Sequence, residues 1–179
     1  MRKNNVIIAG LMMLLVVLSG SLAAGNGGKN PQKGYDRLWN TFAGCLEKDL
    51  PELAAQALDS IEQKALKENN QTQLLKSWKA HGILYSFSTD DVWQQNYIRY
   101  LEARTGRLDT LYEAVLQMTL AEAYASLLFT YEWIIDKNMP VDGDISETDM
   151  IYWDKGSFIS RINAHLKNHS WYRTTTYRD

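Results

Sequence analysis

The sequence predicts an all-α fold, an irregular bundle of about six helices around one long central helix. The stretch from Leu108 to Ile135 contains no Pro or Gly, and Leu, Ala, Glu, Gln and Met dominate its first two thirds. These residues favour one helix of about 40 Å that Asp109 can cap. Apolar residues lie on several of its faces, which is typical of a helix buried against several neighbours. One apolar side carries Leu111, Tyr112, Val115, Met118 and Phe129.

The central stretch is not a membrane span. Glu113, Glu122 and Glu132 leave no more than nine consecutive uncharged residues, whereas a bilayer needs about 20.

The N-terminus predicts export. Arg2 and Lys3 precede the 13-residue apolar run from Val6 to Leu18, and small residues near Ala24 offer a cleavage site. We therefore interpret residues 1–24 as a secretory signal peptide and residues 25–34, rich in Gly and Asn, as a flexible leader. Retention of the segment as a membrane anchor is the alternative, since no charge lies between Val6 and Gly28. The expected location is the periplasm or the exterior, with no membrane contact after cleavage.

The predicted helical domain covers residues 35–167. The first helix starts near Tyr35, and Asp49-Leu50-Pro51 ends it, because Pro is tolerated at the first position of the next helix. The inner faces of the first three helices carry Tyr35, Leu38, Trp39, Phe42, Cys45 and Leu46, then Leu53, Ala54, Ala57, Leu58, Ile61 and Ala65, then Leu74, Leu75, Trp78, Gly82 and Tyr85. Asn69-Asn70 separates the second helix from the third, and capping residues start a fourth over about Asp91 to Arg104.

The region after the central helix reads as a loop, one more helix and a tail. Asp136 to Thr148 contains Pro140, Gly143 and several acids, which favours a surface loop. The last helix is expected from about Asp149, with a stripe of Ile151, Tyr152, Lys155, Phe158, Ile159, Ile162 and Leu166, and residues 168–179 form an irregular tail. Pairing of short helices allows a tetratricopeptide-like array, although no repeat near 34 residues is visible.

The net charge argues against two kinds of partner, and the cysteine content excludes an internal disulfide. Without Arg2 and Lys3 the chain has 17 basic and 21 acidic residues, a formal charge of −4, which disfavours nucleic acid and anionic membrane surfaces as partners. Cys45 is the only cysteine, so no internal disulfide forms, and we interpret it as packed rather than reactive. The six Trp and ten Tyr predict aromatic seams between helices or an exposed aromatic face.

Candidate catalytic or metal-binding groups are few. His165 and His169 are four residues apart, a spacing that two-histidine metal sites use, but no zincin glutamate follows the first, so solvated histidines are expected. His81 is expected on a helix surface or in a seam. The acidic loop at 142–149 alternates oxygen ligands but lacks the glycine and closing glutamate of a calcium loop. No metal or other cofactor is therefore predicted.

Glu122 is the most notable ionisable residue, because its neighbours along the helix are mostly apolar. Buried carboxylates at functional sites have shifted pKa values, although most are paired structurally. The chain has no phosphate-binding glycine loop, nucleophile elbow or paired-cysteine motif, so an enzyme is not expected. The alternative is an uncharacterised enzyme or ligand-binding protein that uses Glu122 and the 142–149 loop.

Several sequence pieces carry a resemblance to a known family. They are, in order, Tyr35-Asp36-Arg37-Leu38-Trp39, Lys48-Asp49-Leu50-Pro51, Ile61-Glu62-Gln63-Lys64-Ala65, Gln73-Leu74-Leu75-Lys76, Ala121-Glu122-Ala123-Tyr124 and Trp153-Asp154 followed by Phe158 and Ile162. Their order and spacing, from about Tyr35 to Leu166, resemble the N-terminal helical region of alpha-2-macroglobulin-like proteins of Bacteroides-type bacteria.

The resemblance implies a secreted or periplasmic relative of protease traps, which have a β-rich body, a bait segment and, in many members, a thioester. The chain departs from that pattern, because Leu46-Glu47-Lys48 follows Cys45 where a thioester has Gly-Glu-Gln, and no strand-rich region follows the last helix. We therefore expect a non-catalytic interaction domain, stand-alone or from a truncated gene. Its expected partner is a protein, such as a separately encoded macroglobulin-like body or a protease.

Overall fold

The computed structural model describes residues 32–88, 92–138 and 149–167. It confirms the all-α prediction: within these ranges it contains seven α-helices, one 3-10 turn and no strand. We number the helices α1 Gln32–Glu47, α2 Pro51–Lys67, α3 Gln71–Ser86, α4 Trp93–Glu102, α5 Thr110–Thr130, α6 Glu132–Ile135 and α7 Lys155–Lys167, with the 3-10 turn at Met150–Tyr152.

Some predicted segments lie outside the described residues. They are the export signal, most of the leader, the start of the fourth helix at Asp91, most of the acidic loop and the C-terminal tail. Among the described helices, none combines the length and the apolar character needed to cross a bilayer. The likeness to tetratricopeptide arrays stays a prediction.

The chain divides into two compact units, unit one at residues 1–61 and unit two at residues 62–179. The described part of unit one contains α1 and the first part of α2. Helix α1 begins three residues before the predicted Tyr35, and both Tyr35 and Phe42 are buried. Trp39 is only half-buried and meets the edge of Phe42, with 5.8 Å between ring centroids. Cys45 is also half-buried, and its interpretation as a packed rather than reactive thiol stays a prediction.

Two helix ends, one in each unit, contain a residue other than glycine whose backbone is in the left-handed conformation. Asp49 has φ +56° and Asn69 has φ +50°. In both turns the next residue donates its backbone N–H to the carbonyl five residues earlier, at 2.9 Å after Asp49 and 2.8 Å after Asn69. This bond satisfies a carbonyl that the helix end leaves open. The predicted boundaries at Asp49 and Asn69 are confirmed, and Pro51 is the first residue of α2 as expected.

Helix α5 is the centre of unit two, where it packs against α3, α4, α6 and α7. Its inward face carries fully buried side chains, namely Leu116, Leu120, Tyr124 and Leu127. Burying such side chains is the main favourable term in folding. The prediction of a central helix is therefore confirmed within unit two.

The central helix is shorter than predicted. Helix α5 contains 21 residues, or about 32 Å, because Tyr131 leaves helical geometry at φ −114° and ψ +17° before the short α6. The sequence Phe129-Thr130-Tyr131 places aromatic and β-branched residues together, and these lose side-chain freedom in a helix. Asp109 holds the N-cap position, but its side chain makes no capping bond. Its backbone N–H instead donates to Gln71 Oε1 at 2.7 Å.

The last helix also begins later than predicted. Asp149 caps the 3-10 turn by accepting from the Ile151 backbone N–H, and α7 starts only at Lys155. Asp154 precedes α7 and accepts from the Ser157 backbone N–H at 3.1 Å. Hydrogen bonds to Ser157, with the hydroxyl bond first, lower the pKa of the Asp154 carboxyl. Phe158 is buried as predicted, whereas Tyr152, Ile159 and Leu166 of the predicted stripe are exposed.

Candidate interaction surface

One face of α5 presents an exposed, mostly apolar row of side chains. We call this row the α5 stripe; it consists of Leu111, Val115, Met118, Glu122, Ala125 and Phe129. The exposed fractions of its four large apolar residues are 52% for Leu111, 37% for Val115, 49% for Met118 and 81% for Phe129. The prediction that this side of the central helix is covered by neighbours was therefore wrong.

The stripe exists because α5 is apolar around most of its circumference, while its neighbours in unit two cover only part of it. Residues opposite the stripe, such as Leu116 and Leu120, are fully buried. A surface helix normally has a polar outer face. The outer face of α5 departs from that pattern because it is mostly apolar. In the sequence this face is visible only as an excess of apolar residues in the helix.

The spacing of the stripe is regular. Successive members are four, three, four, three and four residues apart, an alternation that repeats every seven residues as the seam positions of a coiled coil do. From Leu111 to Phe129 the row extends about 27 Å along the helix. The stripe therefore has the residue spacing that knobs-into-holes packing against a second helix requires.

Glu122 is the only charged member of the stripe and is exposed, contrary to the expectation of an enclosed carboxylate. It forms no salt bridge within the described residues. Helix α5 contains no Lys or Arg. Together with burial, which is the larger cause, the Glu122 charge raises the pKa of Tyr97 on α4. Most of the 142–149 loop, which the alternative function combines with Glu122, lies outside the described residues.

A cluster of polar and aromatic side chains surrounds Glu62 of α2 inside unit two. Glu62 Oε1 accepts from Trp78 Nε1 at 3.1 Å and lies 3.7 Å from Arg104 Nη2, while Oε2 lies 3.9 Å from His81 Nε2. The Arg104 guanidinium stacks on the Tyr100 ring, 3.4 Å from its centroid. We call these five residues the Glu62 cluster; it links α2, α3, α4 and the turn after α4.

Sequence reasoning missed the Glu62 cluster. Its members lie far apart in the chain, and no motif joins them. His81 was expected on a surface or in a seam, and it lies in this seam with its ring 4.6 Å from that of Tyr100. The groups are held by one another, so we interpret the cluster as structural.

Three tyrosines have phenol rings packed among other side chains; we call Tyr97, Tyr100 and Tyr124 the shielded tyrosines, of which Tyr124 is fully buried and the other two are half-buried. Burial is the largest cause that raises the pKa of each phenol above its usual value. Glu62 also raises the pKa of Tyr100, and Glu102 that of Tyr124, whose hydroxyl donates to Glu102 Oε1 at 2.6 Å. Neutral phenols are therefore part of the packed state.

His165 is not a solvated histidine, contrary to expectation. Its Nδ1 lies 2.7 Å from Gln117 Oε1, and its ring stacks on Tyr124 with centroids 5.6 Å apart. His169 lies outside the described residues. Among the His, Cys, Asp and Glu side chains of the described ranges, no group of three or more is placed to hold a metal ion.

Comparisons with protein-family profiles, curated proteins and solved structures return no match to this chain. The interpretation of the α5 stripe, the Glu62 cluster and the shielded tyrosines therefore rests on their own geometry.

Proposed function

We propose that this chain is a non-catalytic helical interaction domain of an exported protein, and that its partner is a protein that covers the α5 stripe. The exposed stripe is the observation that carries the proposal. Soluble proteins commonly expose single apolar side chains, whereas several large apolar side chains grouped on one face mark a site of association.

The residue types and the apolar surface of the exposed side chains support this proposal. Met118 and Phe129 belong to residue types that are enriched in the cores of protein interfaces. Each exposed apolar side chain is stabilised by roughly 25 cal/mol for every Å² that a partner removes from water. Covering four of them in one row therefore provides a favourable driving force for association.

The export signal supports a partner in the periplasm or outside the cell. A macroglobulin-like body or a protease remains our proposed identity for it, on the sequence resemblance alone. The alternative of an enzyme or ligand binder used Glu122 as an enclosed carboxylate. Since Glu122 is exposed, that alternative loses the observation on which it depended.

Site-specific photo-cross-linking in the native organism tests the proposal. A benzoyl-phenylalanine replaces Met118 in the stripe or, as a control, the exposed Ala103 at the end of α4. We expect a discrete cross-linked protein from position 118 and not from position 103, and mass spectrometry then identifies the partner. The proposal fails if position 118 gives no adduct in a folded chain, or if both positions give the same adducts.

A further inference from the structure

We propose that the partner presents an amphipathic helix that pairs with the α5 stripe along a coiled-coil-like seam, with a Lys or Arg facing Glu122. This inference rests on the proposed function and adds the chemistry of the partner. Its three supports are the spacing of the stripe, the charge at its middle and the length of the exposed row.

The spacing favours a helix over other occupants. Alternation of four-residue and three-residue steps keeps one row facing a second helix when two helices cross at about 20°. A strand or a flat surface gains nothing from that period. A partner helix with apolar residues at the same spacing places its side chains between those of Leu111, Val115, Met118 and Phe129.

The charge favours a basic residue at the middle of that partner helix. Glu122 occupies a seam position where the other five members are apolar, so docking removes part of its carboxylate from water. Facing an apolar residue, the charge loses solvation without compensation. Facing Lys or Arg, it gains an ion pair that also sets the register of the two helices, as single polar seam residues do in coiled coils.

The same charge disfavours a second copy of this chain as the occupant. Parallel pairing in register places two Glu122 carboxylates directly opposite each other. Antiparallel pairing about the middle of the stripe places each Glu122 against Met118 of the other copy, with the two glutamates only about 6 Å apart along the axis. Both arrangements bring like charges together in a partly desolvated seam.

The length of the row sets the expected size of the contact. One helix docked along about 27 Å gives a contact at the low end of specific interfaces, below about 1,200 Å² in total. Contacts of that size are typical of reversible, transient complexes.

Two fluorescein-labelled, hydrocarbon-stapled helical peptides test the charge. Both have Leu at seam positions with steps of four and three residues, and they differ only at the central seam position, which is Lys in one and Glu in the other. Stapling is needed because short isolated helices are marginal in water. Binding to the exported, purified chain is measured by fluorescence anisotropy at about 0.05 M and about 1 M salt, which separates a screened charge effect from apolar contact.

We expect the Lys peptide to bind about tenfold more tightly than the Glu peptide at low salt. The variant Glu122→Lys should reverse this preference, and Glu122→Gln should remove it. As a matched control, Asp59→Lys changes the net charge equally at an exposed α2 residue outside the stripe, and it should leave the preference unchanged. The natural peptide cross-linked to position 118 should contain apolar residues at the same spacing and a central Lys or Arg.

Four results overturn the inference. One is equal binding of the two peptides, another is binding of neither, and the third is a natural cross-linked segment without a basic residue. A dimer of the chain alone that dissociates in a Met118→Gln/Phe129→Gln variant assigns the stripe to a second copy and also overturns it. The proposed function is judged separately by the cross-links, because a partner adduct at position 118 stands even if both peptides bind equally.

Discussion

The Glu62 cluster makes Arg104 the most informative single position for stability. Its guanidinium stacks on Tyr100, and its Nη1 donates to the Tyr100 carbonyl at 3.0 Å. A partly buried cation–π contact contributes about 1–2 kcal/mol and a hydrogen bond about 1 kcal/mol. Arg104→Met keeps the apolar stem but removes both contacts, and it leaves Glu62 without its arginine. We therefore expect the free energy of unfolding to fall by about 2–3 kcal/mol.

The matched substitution Arg104→Lys separates charge from shape. Lysine keeps the positive charge but cannot stack as a planar group or donate from a rigid fork. We expect it to recover less than half of the loss. Arg107→Met provides the control, since Arg107 is exposed, and surface substitutions commonly change stability by less than about 0.5 kcal/mol.

Urea unfolding measures these changes, followed in parallel by far-ultraviolet circular dichroism and by tryptophan fluorescence. Coincidence of the two curves is required, because the chain contains two compact units. A loss below about 0.5 kcal/mol for Arg104→Met would refute the interpretation of the cluster as a stabilising seam. Full stability of Arg104→Lys would show that charge alone accounts for the effect.

Two further predictions follow from the packing. An added Cβ at Gly82 would lie 2.9 Å from the Tyr97 ring, whereas at Gly44 it would meet no atom within 4 Å. We expect Gly82→Ala to lower the melting temperature, because overpacking costs about 1–3 kcal/mol. Gly44→Ala should raise it, because alanine has a higher helix propensity than glycine by about 0.5–1 kcal/mol. Equal shifts of the two melting temperatures would contradict this. The shielded tyrosines have raised pKa values in the folded state. The stability that they contribute is therefore complete below pH about 10 and is lost as the pH rises above it. The loss is at most about 1.4 kcal/mol per pH unit for each phenol. Urea midpoints at pH 8 to 11 check this, together with phenolate absorbance, of which the part from the three shielded tyrosines should develop only on unfolding.

Predictions of helix ends that depended on residues adjacent in sequence were accurate at three positions. The helix ends at Asp49 and Asn69 and the start at Pro51 follow from the backbone preferences of those residues and of the ones beside them. The later start of α7 was missed although its signal is local, because Asp154 is a good capping residue that competed with Asp149.

Predictions that depended on burial were less accurate. Trp39 and Leu53 have the spacing of inward residues but are half-buried and exposed, respectively. The cause is that periodicity identifies a face of a helix without saying what lies against it. The same reasoning placed His165 in solvent, although Gln117 and Tyr124 enclose its ring from another helix.

The sequence by itself determined the all-α class, the positions of most helix boundaries and the identity of the central helix, because these depend on local propensity and on apolar content. Tertiary structure alone decided which side of α5 is covered, and therefore that Glu122 lies in an exposed row. It also brought Glu62, Trp78, His81 and Arg104 together across the chain. Such contacts depend on how helices dock, and docking is a property of side chains distant in sequence.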